Sequence, residues 1–333
     1  MTTHHRPLLS SLFSLLLLLA MGFLALGAQA ASLPGPIVSA QQLKALIDAK
    51  SVVVLDTREL FQSDGKTPNY TAGHIPGSRP APYSLFRGPK ENPGAVMPLP
   101  ALTQLVASLG LDPQQPVVLA GSGSDATEFG GVARIYWNLK SAGFNKLAVL
   151  NGGTGAWMAA KLPLEKGEPD KISPSRPRLT TNAAMMVGTE ELNQLTKAAS
   201  KPLLVDARPE DFFLGEMRHP QAARWGTLPG AKHWDSEEWF VANTGRLLEP
   251  SQLRSIAQQA GLMSPQPQVS FCNAGHWAAT HWFILSEVLG QKNVRMYAES
   301  VVAWSKAGHP MDNEPSRSTV LMRQVKGIGV MQN

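Results

Sequence analysis

The sequence predicts an α/β protein built of two tandem domains, each a parallel sheet flanked by helices. Three observations carry that prediction. Residues 52–55, 117–120, 147–150 and 203–205 are short apolar runs without polar alternation, the pattern of strands buried on both faces of a parallel sheet. Stretches of helical spacing lie between them, so strand and helix alternate along the chain. The order of elements then recurs. Asp56 and Asp206, each closing an apolar strand, are 150 residues apart, and Trp157 and Trp304, each behind the last strand of its unit, are 147 apart. That period is too long for a solenoid repeat and marks a domain duplication.

In chain order, residues 1–30 stand apart from either domain. Arg6 precedes a leucine-rich run, and Ala28-Gln29-Ala30 is an A-x-A cleavage site ahead of Ala31. This is the pattern of a secretory signal peptide, cleaved after Ala30 to leave a periplasmic or secreted protein with no stable membrane insertion. The apolar run over residues 8–30 is also long enough to span a bilayer, so a retained anchor stays open. No cysteine follows the run, which excludes a lipoprotein anchor.

Residues 31–165 form the first predicted domain. Ser39-Ala40-Gln41-Gln42 is a capping box that opens a helix through Leu43, Leu46 and Ile47. The strand at 52–55 follows, ended by Asp56, and the Gly/Pro-rich stretch 73–82 reads as loop. A helix around 102–109 leads to the strand at 117–120. The glycine-rich stretch 121–131 then enters a helix carrying Val132, Ile135, Tyr136 and Leu139 on one side, stopped at Gly143. The strand at 147–150, Asn151-Gly152-Gly153 and Trp157 close the unit. Pro169, Pro174 and Pro177 mark a linker over 166–178.

The second domain, 179–315, repeats the series, and 316–333 is left as a C-terminal tail. Thr189 opens a helix, the strand at 203–205 ends at Asp206, and Gly226-Thr227-Leu228-Pro229-Gly230 echoes the earlier loop. Val269, Ser270 and Phe271 form a strand leading to Cys272. Ala279, Trp282, Phe283 and Ser286 then keep helical spacing up to a stop at Gly290, and residues 294–297 are the last strand. Aligning the strand before Gly121 with the strand before Cys272 places Gly121 where the cysteine would stand. From Gly121 to Gly143 is 22 residues, against 18 from Cys272 to Gly290. The first loop is therefore expected to be four residues longer.

Composition narrows the function. The chain of 333 residues is 43% hydrophobic and 17% charged, with a formal charge of +5 that falls to +4 once Arg6 is removed with residues 1–30. No lysine and arginine block with interleaved aromatics occurs, which argues against nucleic-acid binding. The histidines show no metal-ligand spacing, and no cofactor is implied. Cys272 is the only cysteine, so no intramolecular disulfide exists. A lone thiol in an oxidising compartment is a liability unless its chemistry is useful. Free cysteines are often buried structural residues. The strand–tight loop–helix setting favours the reactive reading, because backbone N–H groups and the helix dipole gather there and stabilise an anion.

At these residues the chain resembles the rhodanese-type sulfurtransferases. Cys272-Asn273-Ala274-Gly275-His276-Trp277 looks like their six-residue active-site loop C-x-x-G-x-x. Asp-x-Arg at strand ends (Asp56, Arg58; Asp206, Arg208), the G-H-I-P-G-S box from Gly73 to Ser78 and the closing Trp157 and Trp304 occur in the family's order. The resemblance covers nearly all of the chain after residue 30. It implies a tandem-domain rhodanese-like sulfurtransferase, of the thiosulfate or 3-mercaptopyruvate kind and exported bacterial type, with a non-catalytic N-terminal copy. Cys272 would attack a sulfane sulfur, form a persulfide and pass the sulfur to a thiol or cyanide. The partners would be a small sulfur-donor anion or persulfide and a thiol acceptor. Asn273, Ala274, Gly275, His276 and Trp277, with Arg208 and Phe212, would line the substrate site.

The chain departs from that pattern in places. Thiosulfate-using members tend to carry a cation where Phe212 stands, and a second within the loop where Ala274 stands. Losing two charge-assisted bonds at about 1.5–3 kcal/mol each would weaken a dianion on the order of a hundredfold or more. Poor use of thiosulfate and better use of polysulfide or persulfide donors is therefore expected. Glu299 stands where relatives tend to have glycine. His276 either assists proton transfer or donates to a bound anion, or is a plain exposed loop residue, and Trp277 either walls a sulfur pocket or packs in the core. Asp206 with Arg208, and Asp56 with Arg58, are expected to be structural ion pairs. A phosphatase of C-x5-R type is disfavoured because Ala278 occupies the arginine position. A non-catalytic binding or sulfur-carrier protein of the same fold stays as the alternative.

Overall fold

The computed structural model describes Met1 and residues 32–62 and 64–331. The expected signal peptide lies outside the described residues. In the first domain, β1 (Ile37–Val38), β2 (Val53–Asp56), β3 (Arg79–Pro80), β4 (Val117–Ala120) and β5 (Leu147–Leu150) form one sheet in the order β1-β5-β4-β2-β3. Every pairing is parallel. Helices α1 (Ala40–Asp48), α2 (Asn69–Ala72), α3 (Leu99–Ser108) and α4 (Ala126–Ser141) connect the strands, and α5 (Gly153–Ala159) follows the last of them. The capping box at α1 is formed: Gln42 N–H donates to Ser39 Oγ at 3.2 Å, and Ser39 N–H donates to Gln42 Oε1 at 2.8 Å.

The second domain repeats the plan. Strands β6 (Leu203–Asp206), β7 (Lys232–His233), β8 (Gln268–Phe271) and β9 (Val294–Met296) run parallel in the order β7-β6-β8-β9. Its helices are α6 (Thr189–Leu195), α7 (Glu210–Phe213), α8 (Pro250–Gln259), α9 (Trp277–Trp282) and α10 (Ser300–Lys306), with α11 (Arg317–Lys326) behind. Asp56 pairs with Ala120 just as Asp206 pairs with Phe271. Gly121 and Cys272, the next residues, are thus equivalent positions at the carboxyl ends of the central strands, where α/β sheets place ligands.

One expectation about these loops is overturned. Helix α4 begins five residues after Gly121, and α9 begins five after Cys272, so the two loops are equal in length. The surplus lies in the helices: α4 has 16 residues, against six in α9 followed by six of π-helix (Phe283–Val288). The glycines that suggested a long loop, Gly130 and Gly131, sit inside α4. They are small there because a Cβ would lie 2.6 Å from the His276 ring and 3.1 Å from the Tyr83 ring. Regular helix was also expected through Ser286. The widened π turn carries Glu287, which accepts from Tyr136 Oη at 2.7 Å and pairs with Lys140 at 3.1 Å, both on α4.

These contacts belong to a core that the two domains share. Phe129 and Tyr136 of α4 meet the Phe283 ring edge-on, with centroids 5.8 Å and 4.9 Å apart. Tyr136 also tilts onto Trp282 at 6.4 Å. Such pairs contribute roughly 0.5–1.5 kcal/mol each beyond the area they bury. One cluster of buried apolar side chains runs from Leu55 and Val117 through α4 to Cys272 and Leu285. The longest helix of the first domain therefore lies against the helix that follows the cysteine.

Candidate active site

Cys272 is fully buried, at 0% exposure. Its N–H donates to Ser300 Oγ at 3.0 Å, and that hydroxyl donates to Tyr297 O at 2.7 Å. Ser300 holds this position at φ 54°, a left-handed conformation that costs a non-glycine residue energy and recurs at functional sites. The amides of Val301 and Val302 bind the carbonyls of Cys272 and Asn273, both at 3.1 Å, so α10 grips the loop from behind. A ring of N–H donors around the sulfur was expected. Among the described residues one reaches it, His276 N–H at 3.2 Å from Sγ.

Asp206 and Arg208 form the expected structural pair, 2.6 Å apart and almost wholly buried. The carboxylate also accepts from Thr227 Oγ1 at 2.7 Å, and Arg208 Nη2 donates to Gly226 O at 2.9 Å. Arg58 repeats this in the first domain, donating to Asp56 and, at 2.8 Å, to Gly73 O. Only Arg208 also touches the cysteine loop, through Nη1 to Asn273 Oδ1 at 3.2 Å. Asn273 is buried, and its Nδ2 has no partner among the described residues. Phe212 is buried between Arg208, whose guanidinium carbon is 5.7 Å from the ring, and Trp277, 5.9 Å away edge-on.

His276 and Trp277 face the first domain. Trp277 Nε1 donates to Thr127 Oγ1 at 3.2 Å. His276 places Nε2 on the Thr127 carbonyl and Nδ1 3.1 Å from Tyr83 Oη. With a carbonyl at Nε2, the network assigns the proton there and makes Nδ1 an acceptor for the tyrosine hydroxyl. Tyr83 Oη in turn accepts from Arg87 Nη1 at 2.6 Å. Burial first, then the charge of Arg87, lowers the His276 pKa to about 4, so the ring is neutral at neutral pH. Both nitrogens are engaged, which makes His276 a clamp between domains rather than an exposed loop residue or a free base.

Ala274 was expected to line the substrate site. Its side chain instead belongs to the apolar cluster of Phe271, Tyr297, Val301 and Trp304, with the chain at Gly94 closed over it. A cation could not be held there without burial. The expectation of a cation-poor site from Phe212 and Ala274 took no account of two arginines that the first domain brings toward the cysteine loop. Arg87 reaches His276 through Tyr83. Arg134, on α4, is 0% exposed and donates from Nη1 to Gly275 O at 3.2 Å. Sequence reasoning missed both, since each lies more than a hundred residues from the cysteine. The signal for Arg134 was a charge inside the apolar run 129–137. Glu299, odd in sequence, accepts from Asn92 Nδ2 at 2.7 Å and helps fasten the domains together.

The equivalent loop of the first domain is occupied by its own helix. Glu128 accepts from Ser122 N–H at 2.8 Å and Gly123 N–H at 3.1 Å. A Cβ at Gly121 would stand 2.3 Å from Glu128 Oε1. The carboxylate thus fills the amide nest where an anion would otherwise sit. Burial raises the Glu128 pKa, and the two amides work against that. A cavity of about 470 Å³ lined by Arg58, Tyr83, Ser122, Thr127, Glu128 and His276 opens beside it; Cys272 is not among its lining residues.

Comparison with known proteins agrees with this architecture. Residues 39–160 and 189–307 each match the family model of the rhodanese-like domain. A thiosulfate sulfurtransferase of Corynebacterium glutamicum is 27% identical over 281 residues, covering 81% of this chain and 88% of that protein. Among solved structures, a 3-mercaptopyruvate sulfotransferase of Escherichia coli superposes with a TM-score of 0.68 at 22% identity, covering 80% of this chain and 98% of the other. An anaerobic ergothioneine biosynthesis enzyme of Chlorobium limicola gives a TM-score of 0.73 at 19% identity, covering 84% and 71%.

Proposed function

Because this chain belongs to the rhodanese-like family, as a sulfurtransferase of two such domains, we propose that it moves a sulfane sulfur through a persulfide on Cys272. The observation that carries this is the His276 N–H held 3.2 Å from Cys272 Sγ at the carboxyl end of β8. In the first step the Cys272 thiolate attacks the outer sulfur of a donor such as thiosulfate. The donor's S–S bond breaks, its electron pair leaves with sulfite, and Cys272 carries the anionic persulfide. In the second step an acceptor thiolate or cyanide attacks the terminal sulfur, and the Cys272 thiolate departs. Negative charge stays on sulfur beside the same amide throughout, so one donor serves both states. No general base is required, consistent with a neutral His276 whose nitrogens are both engaged.

The donor is a small anion or persulfide. Phe212 and Ala274 offer it no charge, and Arg87 is the cation we assign to its recognition. Apart from Tyr83 the Arg87 side chain has no hydrogen-bond partner, and it has no ion-pair partner, among the described residues. Residues 1–30 direct export, and the mature protein acts in the periplasm or outside the cell.

Intact mass after incubation with thiosulfate, polysulfide or mercaptopyruvate tests the reading. One added sulfur that a reductant removes is expected, and Cys272→Ser should gain none. A free, alkylatable thiol that takes up no sulfur from any donor would exclude transfer and sulfur carriage alike and leave the non-catalytic binding alternative, which the complete burial of Cys272 favours.

A further inference from the structure

The peptide unit joining Gly275 to His276 is held at both ends. Its N–H donates to Cys272 Sγ at 3.2 Å, and its carbonyl accepts from Arg134 Nη1 at 3.2 Å. In a trans peptide these two groups point in opposite directions. A cation at the oxygen draws electron density from the N–H and strengthens it as a donor, the cooperativity of chained hydrogen bonds.

Arg134 is suited to that role. It is wholly buried and has no carboxylate partner among the described residues. Its remaining donors go to neutral acceptors, Gly94 O at 3.1 Å, Ala95 O at 3.3 Å and Asn138 Oδ1 at 3.2 Å. Fully buried and outside any ion pair among the described residues, its charge is only weakly screened, so its field falls on the groups beside it. Gly275 permits the approach, since a Cβ there would lie 2.2 Å from Nη1, and its φ of 68° is one that glycine adopts freely.

We propose that Arg134 is a positioning residue for the nucleophile: from the opposite domain it orients and polarises the Gly275–His276 peptide, stabilising the thiolate and then the persulfide of Cys272. This rests on Cys272 being the nucleophile. The remaining charged or titratable neighbours are Arg87, Tyr83, His276 and Glu299, with the Asp206–Arg208 pair behind Asn273. Tyr83 stays protonated, because burial raises it, and His276 stays neutral. Burial lowers the Arg134 pKa, the charge of Arg87 acts the same way, and the charge of Glu299 opposes them.

The test is the pH profile of Cys272 alkylation by iodoacetamide in the full-length protein, which needs no sulfur transfer. Arg134→Gln should move the midpoint upward by about one pH unit, the scale of a lost polar contact to a charged group. Loosened packing alone would change the plateau rate and leave the midpoint in place. If Arg134→Gln does not fold, Arg134→Lys decides. One ammonium cannot serve Gly275 and the 94–95 carbonyls together, so its midpoint should still rise. A midpoint within about 0.3 unit of wild type in the folded variant overturns the proposal. A wild type that takes up no sulfur would overturn the proposed function and leave this result standing.

Discussion

At the residue scale, the site is decided by which groups carry charge at neutral pH. Arg87 is the side chain through which an anionic donor is expected to be recognised. Arg87→Gln should raise the thiosulfate KM about tenfold or more, the loss of one charge-assisted hydrogen bond, while Arg87→Lys recovers most of it. A steady-state KM unchanged in both variants would remove Arg87 from donor binding. Three histidines have pKa values lowered chiefly by burial: His276 and His219 to about 4, and His281 to about 3. The unfolded chain, with histidines near 6.5, binds more protons than the native state below that pH. Their contribution to stability is therefore full above pH 6.5 and is lost as pH falls toward 4. Urea midpoints at pH 7, 6 and 5 should drop in that order, and a flat series would contradict the shifts. Among the described residues His281 has no partner for either ring nitrogen, and it packs 5.6 Å from Trp239, so His281→Leu should flatten part of the fall.

At the element scale, the two strand–loop–helix units differ by one carboxylate as much as by one thiol. Restoring the nucleophile alone is not enough to wake the first loop, since Glu128 stands 2.3 Å from where the new Cβ would be. Gly121→Cys should bind no sulfur and should lower the melting temperature. Gly121→Cys combined with Glu128→Ala should recover stability relative to the single variant, which differential scanning calorimetry can show. Equal melting temperatures in the two variants would mean that Glu128 yields without cost. Most of these elements were legible in sequence. The buried strands 117–120 and 147–150 stand where their unbroken apolar runs put them, and Ser39 with Gln42 announced α1. The loop at Gly121 was misjudged because glycine reads the same whether it permits a turn or a close approach. Gly130 and Gly131 are of the second kind, and only their neighbours, His276 and Tyr83, reveal it. The two-residue strands at 37, 79 and 232 carry no periodicity, since register with a neighbouring strand alone defines them.

At the scale of the whole molecule, the domains share a core and share the site. Phe283, Trp282 and the π turn of the second domain lose their aromatic and charged partners if the first is removed. Residues 179–333 expressed alone should therefore be less soluble and less active than the residue 31–333 protein, measured by soluble yield and cyanolysis rate. Full activity in that fragment would sink the interdomain account. Cys272 itself was visible from sequence because its type, solitude and place after a strand are local facts. Arg87, Tyr83 and Arg134 were not, because their meaning depends on contacts more than a hundred residues away. A single chain shows those only once it is folded.

Helix α4 gathers several of these duties on consecutive turns. Thr127 receives the two aromatic rings of the cysteine loop, Glu128 fills the silent nest, Gly130 makes room for His276, and Arg134 reaches Gly275. Duplicated copies ordinarily free one member to drift. Here the member without a nucleophile holds the constraints on one helix, so it has specialised rather than decayed. In a saturation scan scored by sulfur transfer, intolerance should peak twice, around 272–277 and again over 127–138, with the second peak as sharp as the first.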